Sequence, residues 1–415
     1  MGTNTFQRLV IEGWRQFASV EIDFHPRLTV VTGSNGAGKS TILRLLAQHF
    51  GWPSWLLGTP TISKSGGLSY LSGLFSWRKD APSQLVIGSL TYTSGGTARL
   101  TLPASTGIQY NINIEGIASV VGLNISSHRP TPTYQQVQTI PTAGIGANQA
   151  YESYKSEIFN RYTNSFTQFS PTYRMKEAII SMAIFGPGND YVHPNPRLQE
   201  LFQGFKQVLK LVLPASIGFR DISIRVPDVV LVTDSGDFVI DAASGGLMSI
   251  IDIAWQIFLF GNDKDEFVVV IDEPENHLHP SMQRTLLSNL LAAFPQAQFI
   301  VATHSPFIVS SVKDSYVYVL QHGPLSGEGE NARRVSSIKL DRANKAATAS
   351  EILRDVLGVP VTLPDWADQE LREITEQFSI EKIDSESIFG LRQALNEKGL
   401  GEYYPEALKQ IAQKQ

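Results

Sequence analysis

The chain has no cysteine among its 415 residues. That excludes disulfides, thiolate nucleophiles and zinc-thiolate sites, and it fits a reducing compartment. A basic excess is missing as well: 34 Lys+Arg against 39 Asp+Glu give a formal net charge of -5. No global positive field is therefore available to hold a nucleic-acid backbone, although a local basic face is compatible with an acidic total and leaves DNA undecided as a partner. No stretch reaches the roughly 18 uncharged apolar residues of a membrane span, and residues 1–10 lack the apolar core of a signal peptide. The expectation is a soluble cytoplasmic protein with no membrane partner. Fixed-period repeats and sustained heptads are also absent, which excludes solenoids and a long coiled coil. What remains is 42% hydrophobic sequence, enough for a large core spread over two or three domains.

Within that globular background, Gly33-Ser34-Asn35-Gly36-Ala37-Gly38-Lys39-Ser40 fills the pattern G-x-x-x-x-G-K-[ST]. An apolar run, Leu28 to Val31, leads into it, and an apolar helical pattern from Lys39 to about Phe50 follows (Ile42, Leu43, Leu46, Ala47, Phe50). Strand, loop and helix in that order form a phosphate-binding device. The glycines let successive N–H groups close around the phosphates, Lys39 reaches the β/γ-phosphates, and Ser40 offers a hydroxyl to Mg²⁺. The helix N-terminus, with Ser40 and Thr41 in its first turn, points at the same anion. The expected ligands are ATP and Mg²⁺.

A second run, Phe267 to Ile271, is apolar throughout and ends in Asp272-Glu273-Pro274. Unbroken apolarity is the mark of a parallel strand buried on both faces. Its tip would place Asp272 on Mg²⁺ and Glu273 against the water that attacks the γ-phosphate. A third run, Gln298 to Ala302, ends in Thr303-His304-Ser305-Pro306, where His304 can reach the γ-phosphate as a sensor. A Ser-Gly-Gly segment opening a helix could meet that phosphate with its N–H groups. Two segments qualify by composition. Ser65-Gly66-Gly67 runs on into further Ser and Gly, whereas Ser244-Gly245-Gly246 opens a helical stripe at 247, 250, 251, 254, 257 and 258. The second is the expected one, and the first reads as loop.

Between these blocks, 51–81 has loop composition with aromatic anchors, and alternating stretches near 85–92, 98–102 and 110–114 suggest antiparallel strands. Residues 126–149 read as a long polar loop, followed by helical patterns near 151–168, 173–186 and 196–212. The last seventy or so residues are helical in pattern, with an apolar face that includes Ile352, Leu353, Val356 and Leu357 and later Leu391, Leu395 and Leu400.

Taken together, Gly33–Ser40, Ser244–Gly246, the segment Ile271-Asp272-Glu273-Pro274-Glu275-Asn276-His277-Leu278-His279-Pro280 and Thr303–Pro306 resemble an ABC-type ATPase of the SMC/RecF/OLD branch. The resemblance implies an α/β head, a mixed sheet with flanking helices, formed by 1–50 and 225–345. A strand-rich lobe and helical insertion would then occupy 51–224, and a C-terminal helical module 346–415. It also implies a head-to-head dimer in which the signature Ser244, Gly245 and Gly246 of one protomer close the ATP of the other. The Mg²⁺-sensing glutamine of such heads has three candidates, Gln135, Gln136 and Gln138. Arg15 and Phe17 lie where related heads contact the base, and an exposed charge with a buried ring explains them equally well. Segments 45–52 and 350–360 resemble the ATPase subunit of PARIS anti-phage systems. That likeness implies a sensor or scaffold that restrains a separate toprim-type nuclease effector and responds to a phage-encoded trigger. A RecF-like repair or recombination ATPase is the alternative.

Overall fold

A computed structural model describes residues 4–52, 55–62, 68–71, 84–103, 108–129, 133–323, 334–341, 349–357, 364–378 and 385–412. Its contacts divide the chain into a large unit, Met1–Ala349, and a small one, Ser350–Gln415.

The large unit is built on one 11-stranded mixed sheet. In chain order its strands are β1 (Phe6–Glu12), β2 (Phe17–Asp23), β3 (Leu28–Gly33), β4 (Gln84–Tyr92), β5 (Thr97–Pro103), β6 (Asn113–Glu115), β7 (Gly122–Ile125), β8 (Phe267–Asp272), β9 (Ala297–Ala302), β10 (Tyr316–His322) and β11 (Val335–Lys339). Across the sheet they run β6-β5-β4-β1-β2-β11-β10-β3-β9-β8-β7. Half of it, β6 to β2, is an antiparallel meander. The other half, β10-β3-β9-β8-β7, is entirely parallel. Burial follows the same division. β1 and β2 bury alternate residues, whereas every residue of β3 and β9 is buried, as a parallel sheet covered on both faces requires.

Helices α1 (Lys39–Ala47), α2 (Ala147–Tyr162), α3 (Pro171–Phe185), α4 (Pro196–Val212), α5 (Gly245–Gly261) and α6 (Pro280–Ala293) flank the sheet. Four have side-chain caps at their N-termini: Ser170 accepts from Tyr173 N, Asn195 from Leu198 N, Ser244 from Leu247 N, and His279 from Ser281 N. α2 begins earlier and ends sooner than the apolar spacing suggests, because Asn164 takes a positive φ of 54° and the chain turns before Ser170 starts α3. Segment 51–81, expected as loop, contributes short strands as well: Leu56–Leu57 pairs with Gln109–Tyr110, and Thr59–Ile62 with Leu68–Leu71. A three-stranded antiparallel sheet (Phe219–Arg225, Asp228–Thr233, Phe238–Val239) precedes α5.

The small unit has helices at Asp365–Glu376, Ser385–Glu397 and Tyr404–Ala412 around its own core of Ala367, Leu371, Ile374, Leu391, Leu395, Leu400, Ala407 and Ile411. Among the described residues, no helix is long and apolar enough to cross a membrane.

Candidate nucleotide site

Parallel pairing brings four strand ends to one edge. Val31 of β3 lies beside Ala302 of β9, Ala302 beside Asp272 of β8, and Ile271 of β8 beside Ile125 of β7. The ladder runs past the strands: Thr303 N donates to Val31 O (3.1 Å), and Glu273 N donates to Ala302 O (2.9 Å). Thr32 Oγ1 adds a bond to Thr303 O (2.9 Å). The loop 34–38, the acidic turn from Asp272, the Thr303-His304 segment and the 126–129 segment therefore share one rim.

Each glycine of the loop has its own reason. Gly33 has φ 140° and a Cβ there would sit 2.3 Å from Leu320 O; Gly38 has φ 101° and a Cβ there would sit 2.4 Å from the Phe17 ring. Packing forbids a side chain at both. Gly36, at φ 77°, has nothing within 4 Å among the described residues, so only its conformation calls for glycine there, with open space beside it. Gly38 provides no side-chain cap for α1, and no acidic residue stands in the helix's first turn. Its leading N–H groups are thus left for an anion.

Lys39 is buried, and its Nζ donates to Gly33 O (3.0 Å) and Ser34 O (3.1 Å), with His304 Nδ1 at 3.4 Å. Burial pulls the amine down to about 8, opposed by Asp272, Glu273 and Glu275. A lysine ammonium can only donate, so His304 Nδ1 is the acceptor and the ring proton lies on Nε2. Nε2 is 3.7 Å from Glu273 Oε1. Burial and the charge of Lys39 push His304 below the usual imidazole value, which makes that approach one between a neutral ring and a carboxylate.

Ser40 hydrogen-bonds to Asp272, whose carboxyl is pushed up chiefly by burial and also by Glu273. Asp272 Oδ1 is buried and has no hydrogen-bond partner among the described residues. An orphaned carboxylate oxygen next to a serine hydroxyl is the donor set a hard cation takes, completed by water and phosphate oxygens, so these residues fit Mg²⁺. Thr41 lies in the first turn of α1, its N–H donating to Gly38 O (3.0 Å).

The acidic turn holds two non-glycine residues in the left-handed region, Glu273 (φ 47°) and His277 (φ 69°). Such conformations cost on the order of 1–3 kcal/mol each and persist only where surroundings dictate them. Here Asn276 Nδ2 donates both to Glu273 Oε2 (3.1 Å) and to Ser127 O (3.2 Å). Arg129 Nη2 donates to Glu273 O (3.2 Å). Glu275 Oε1 accepts from Thr303 Oγ1 (2.6 Å), His304 N (2.8 Å) and Ser305 N (3.2 Å), tying the acidic turn to the histidine segment. Burial lifts the Glu275 carboxyl, and these donors oppose the rise.

Ser244-Gly245-Gly246 lies against that turn at His277. A Cβ on Gly246 would come 2.7 Å from His277 O, while Ser244 and Gly245 are exposed. Lys39, Ser40, Asp272, Glu273 and His304 are thus gathered together, and the Ser-Gly-Gly segment adjoins the acidic turn with Ser244 and Gly245 exposed. The competing segment 65–67 lies outside the described residues. Of the three glutamines, Gln135 is engaged elsewhere, accepting from Ser170 N (2.8 Å) and donating to Gln168 O (3.0 Å). Gln136 and Gln138 are exposed. Arg129, Asn276 and Glu275 are the site's neighbours that residue spacing did not single out. The signal available was the E-N-H stretch after Glu273; nothing local marks Arg129.

A family model described as "AAA domain, putative AbiEii toxin, Type IV TA system" matches residues 127–310, and one described as "AAA domain" matches residues 8–57. Between them the two spans contain every residue of the gathered site. The chain is similar to "Septu protein PtuA" of Bacillus mycoides (strain KBAB4), 24% identical over 334 residues, covering 76% of this chain and 40% of that protein. It is also similar to "Retron Vc95 probable ATPase" of Vibrio cholerae serotype O1 biovar El Tor, 40% identical over 53 residues, covering 13% of this chain and 10% of that one. The chain therefore spans less than half the length of these relatives. Among solved structures, the "SMC head domain from Thermotoga maritima" aligns with a TM-score of 0.44 at 13% identity, over 81% of this chain and 99% of that one.

Proposed function

We propose that the protein binds and hydrolyses ATP at the rim where β3, β9 and β8 end, and that its heads associate face to face around the nucleotide. The observation that carries this reading is the convergence of Lys39, Asp272, Glu273 and His304 from three separated segments beside a glycine loop with open space at Gly36. Lys39 exchanges its bonds to the carbonyls of Gly33 and Ser34 for phosphate oxygens. Glu273 orients the attacking water and accepts its proton, held in place by Asn276 and Arg129. His304, neutral and fixed through its backbone by Glu275, donates from Nε2 toward the γ-phosphate. Ser40 and Asp272 would hold Mg²⁺, which would supply charge neutralisation for the phosphates when bound. Ser244, Gly245 and Gly246 act on the nucleotide of a second copy.

Phosphate release under single-turnover conditions tests the chemistry. Lys39→Ala is expected to lose ATP binding, whereas Glu273→Gln keeps binding and loses at least about 100-fold in rate. A Glu273→Gln variant turning over at the wild-type rate would remove Glu273 from the role of base.

The biological output we infer is a nucleotide-dependent scaffold that restrains a separate toprim-type nuclease effector in anti-phage defence until a phage-encoded trigger releases it. Supporting this are the likeness of 45–52 and 350–360 to PARIS ATPase subunits and the similarity to Septu and retron proteins. Residues 358–360 of that likeness lie outside the described residues. Co-purification with the product of the adjacent reading frame is the expected result; a tagged wild-type chain that captures no second protein would defeat the scaffold role. Hydrolysis should be indifferent to added DNA, in contrast to a RecF-like machine.

A further inference from the structure

Helix α5 and the acidic turn touch in two places. Directly, Gly246 packs on the carbonyl of His277 so closely that no side chain fits. Indirectly, a single side chain bridges them: Arg129 Nη1 donates to Ser249 Oγ on α5 (2.9 Å), while its Nη2 donates to the carbonyl of Glu273 (3.2 Å). Ser249 lies just over one turn along α5 from Ser244. Asp252, one turn further and buried, adds attraction for the same guanidinium and is itself fixed by Tyr154 and Gln256. Arg129 lies in the stretch that leaves β7 after Ile125, the edge strand beside β8, and Ser127 O in the same stretch receives Asn276, which also holds the Glu273 carboxylate. The Arg129 Nε is buried and makes no hydrogen bond among the described residues, where the side chain's polar anchorage lies in its two terminal nitrogens.

A guanidinium is a rigid planar fork, and its two ends cannot move independently. One end grips the helix that begins with Ser244-Gly245-Gly246. The other grips the backbone of a residue held at φ 47°, a conformation sensitive to where its carbonyl is pulled.

We infer that Arg129 is a positioning residue that transmits the placement of α5 to Glu273, so that engagement of Ser244–Gly246 with a second protomer's nucleotide sets the hydrolytic carboxylate of its own protomer. This rests on the proposed function, in which Glu273 is the base and the Ser-Gly-Gly segment acts across the dimer. Each site is then tuned for hydrolysis by occupancy of the other, and ATP turnover is cooperative.

The test measures steady-state hydrolysis against ATP concentration for the full chain and for Arg129→Lys, Ser249→Ala, the double variant and Glu273→Gln. Arg129→Lys keeps the charge but loses the fork, and it is expected to lower kcat by about 10–100-fold while KM stays within about threefold, with the Hill coefficient falling toward one. Ser249→Ala breaks only the helix end and should lower kcat in the same direction. The double variant should be no slower than Arg129→Lys within about threefold, since both remove one linkage. Ser249→Ala deletes a single hydroxyl and keeps the test available if Arg129→Lys does not fold. If Glu273→Gln is inactive while the Arg129 and Ser249 variants keep wild-type kcat and Hill coefficient, the linkage is wrong and the site reading survives. If their effects multiply, Arg129 and Ser249 act separately and the linkage is also wrong. If Glu273→Gln keeps its rate, the site reading itself fails.

Discussion

The three loop glycines illustrate how one residue type meets different demands within six positions. Gly33 is closed off by the β10 backbone and Gly38 by Phe17, so alanine at either collides with atoms that cannot yield freely. Gly36 faces open space and bears only a conformational demand, which for an L-residue costs on the order of 1–2 kcal/mol. Gly33→Ala is therefore expected to lower thermal stability sharply or prevent folding. Gly36→Ala should shift the melting temperature by only a few degrees while weakening ATP binding at least about tenfold; comparable melting temperatures for the two variants would contradict this assignment. A second residue-scale expectation concerns His49, at the end of α1. Its Nδ1 lies 3.0 Å from Leu46 O and its Nε2 2.8 Å from the Tyr92 hydroxyl, a pairing that suits the neutral ring with its proton on Nδ1. Burial pushes its pKa down to about 4. The unfolded chain then takes up a proton at this residue before the folded one does. Its stabilising contribution is complete above pH 6.5 and is lost as the pH falls toward 4, roughly 2 kcal/mol of it between pH 7.5 and 5. Urea unfolding at those two pH values should show a correspondingly smaller drop for His49→Gln; an equal drop would place the histidine's titration elsewhere.

At the scale of elements, legibility followed from how local the determining physics is. The strands β3, β8 and β9 could be read because burial on both faces leaves an unbroken apolar run, and α1 because its stripe follows directly on the loop. The stripe on α5 was legible too, but not its extent: Met248, Ile253, Trp255 and even Asp252 and Gln256 are buried, so the helix is enclosed on most sides. The β7 strand could not be read. Gly122-Leu123-Asn124-Ile125 has weak strand character, and what makes it a strand is pairing with Val268–Ile271, nearly 150 residues away. For that reason Arg129 and Ser127, which ride on its end, carried no local sign of belonging to the site. Another non-local device is Arg27, at the start of β3. Its guanidinium donates to Leu291 O (2.8 Å) and Ala297 O (2.9 Å) and also to Phe294 and Pro295, collecting the carbonyls left over where α6 ends. Arg27→Ala is expected to cost the large unit about 2 kcal/mol, with Arg27→Lys recovering only part because an ammonium lacks the fork. Denaturant unfolding measures both, and a cost below about 0.5 kcal/mol would show that water satisfies those carbonyls equally well.

For the whole molecule, the face-to-face association proposed above rests on where one chain holds its two groups of site residues. The loop, Asp272, Glu273 and His304 are gathered at the rim, while Ser244 and Gly245 are exposed and Gly246 backs onto His277. In that proposal a two-fold axis would let each copy give the exposed start of its α5 to the nucleotide of the other and receive the same in return. The association should then be governed by nucleotide rather than by protein concentration alone, because the phosphates supply the charge that both surfaces share. With ATP and Mg²⁺ present, Glu273→Gln is expected to run at twice its nucleotide-free mass in light scattering, since it binds ATP and does not consume it. Lys39→Ala should keep the same mass with or without ATP. Ser244→Arg places a bulky side chain on the exposed face without touching the loop, so it should bind ATP with wild-type affinity yet fail to double in mass in the Glu273→Gln background. If Ser244→Arg still doubles, the shared surface lies elsewhere. If Glu273→Gln does not double at ATP concentrations that saturate it, the nucleotide is bound and turned over within a single copy.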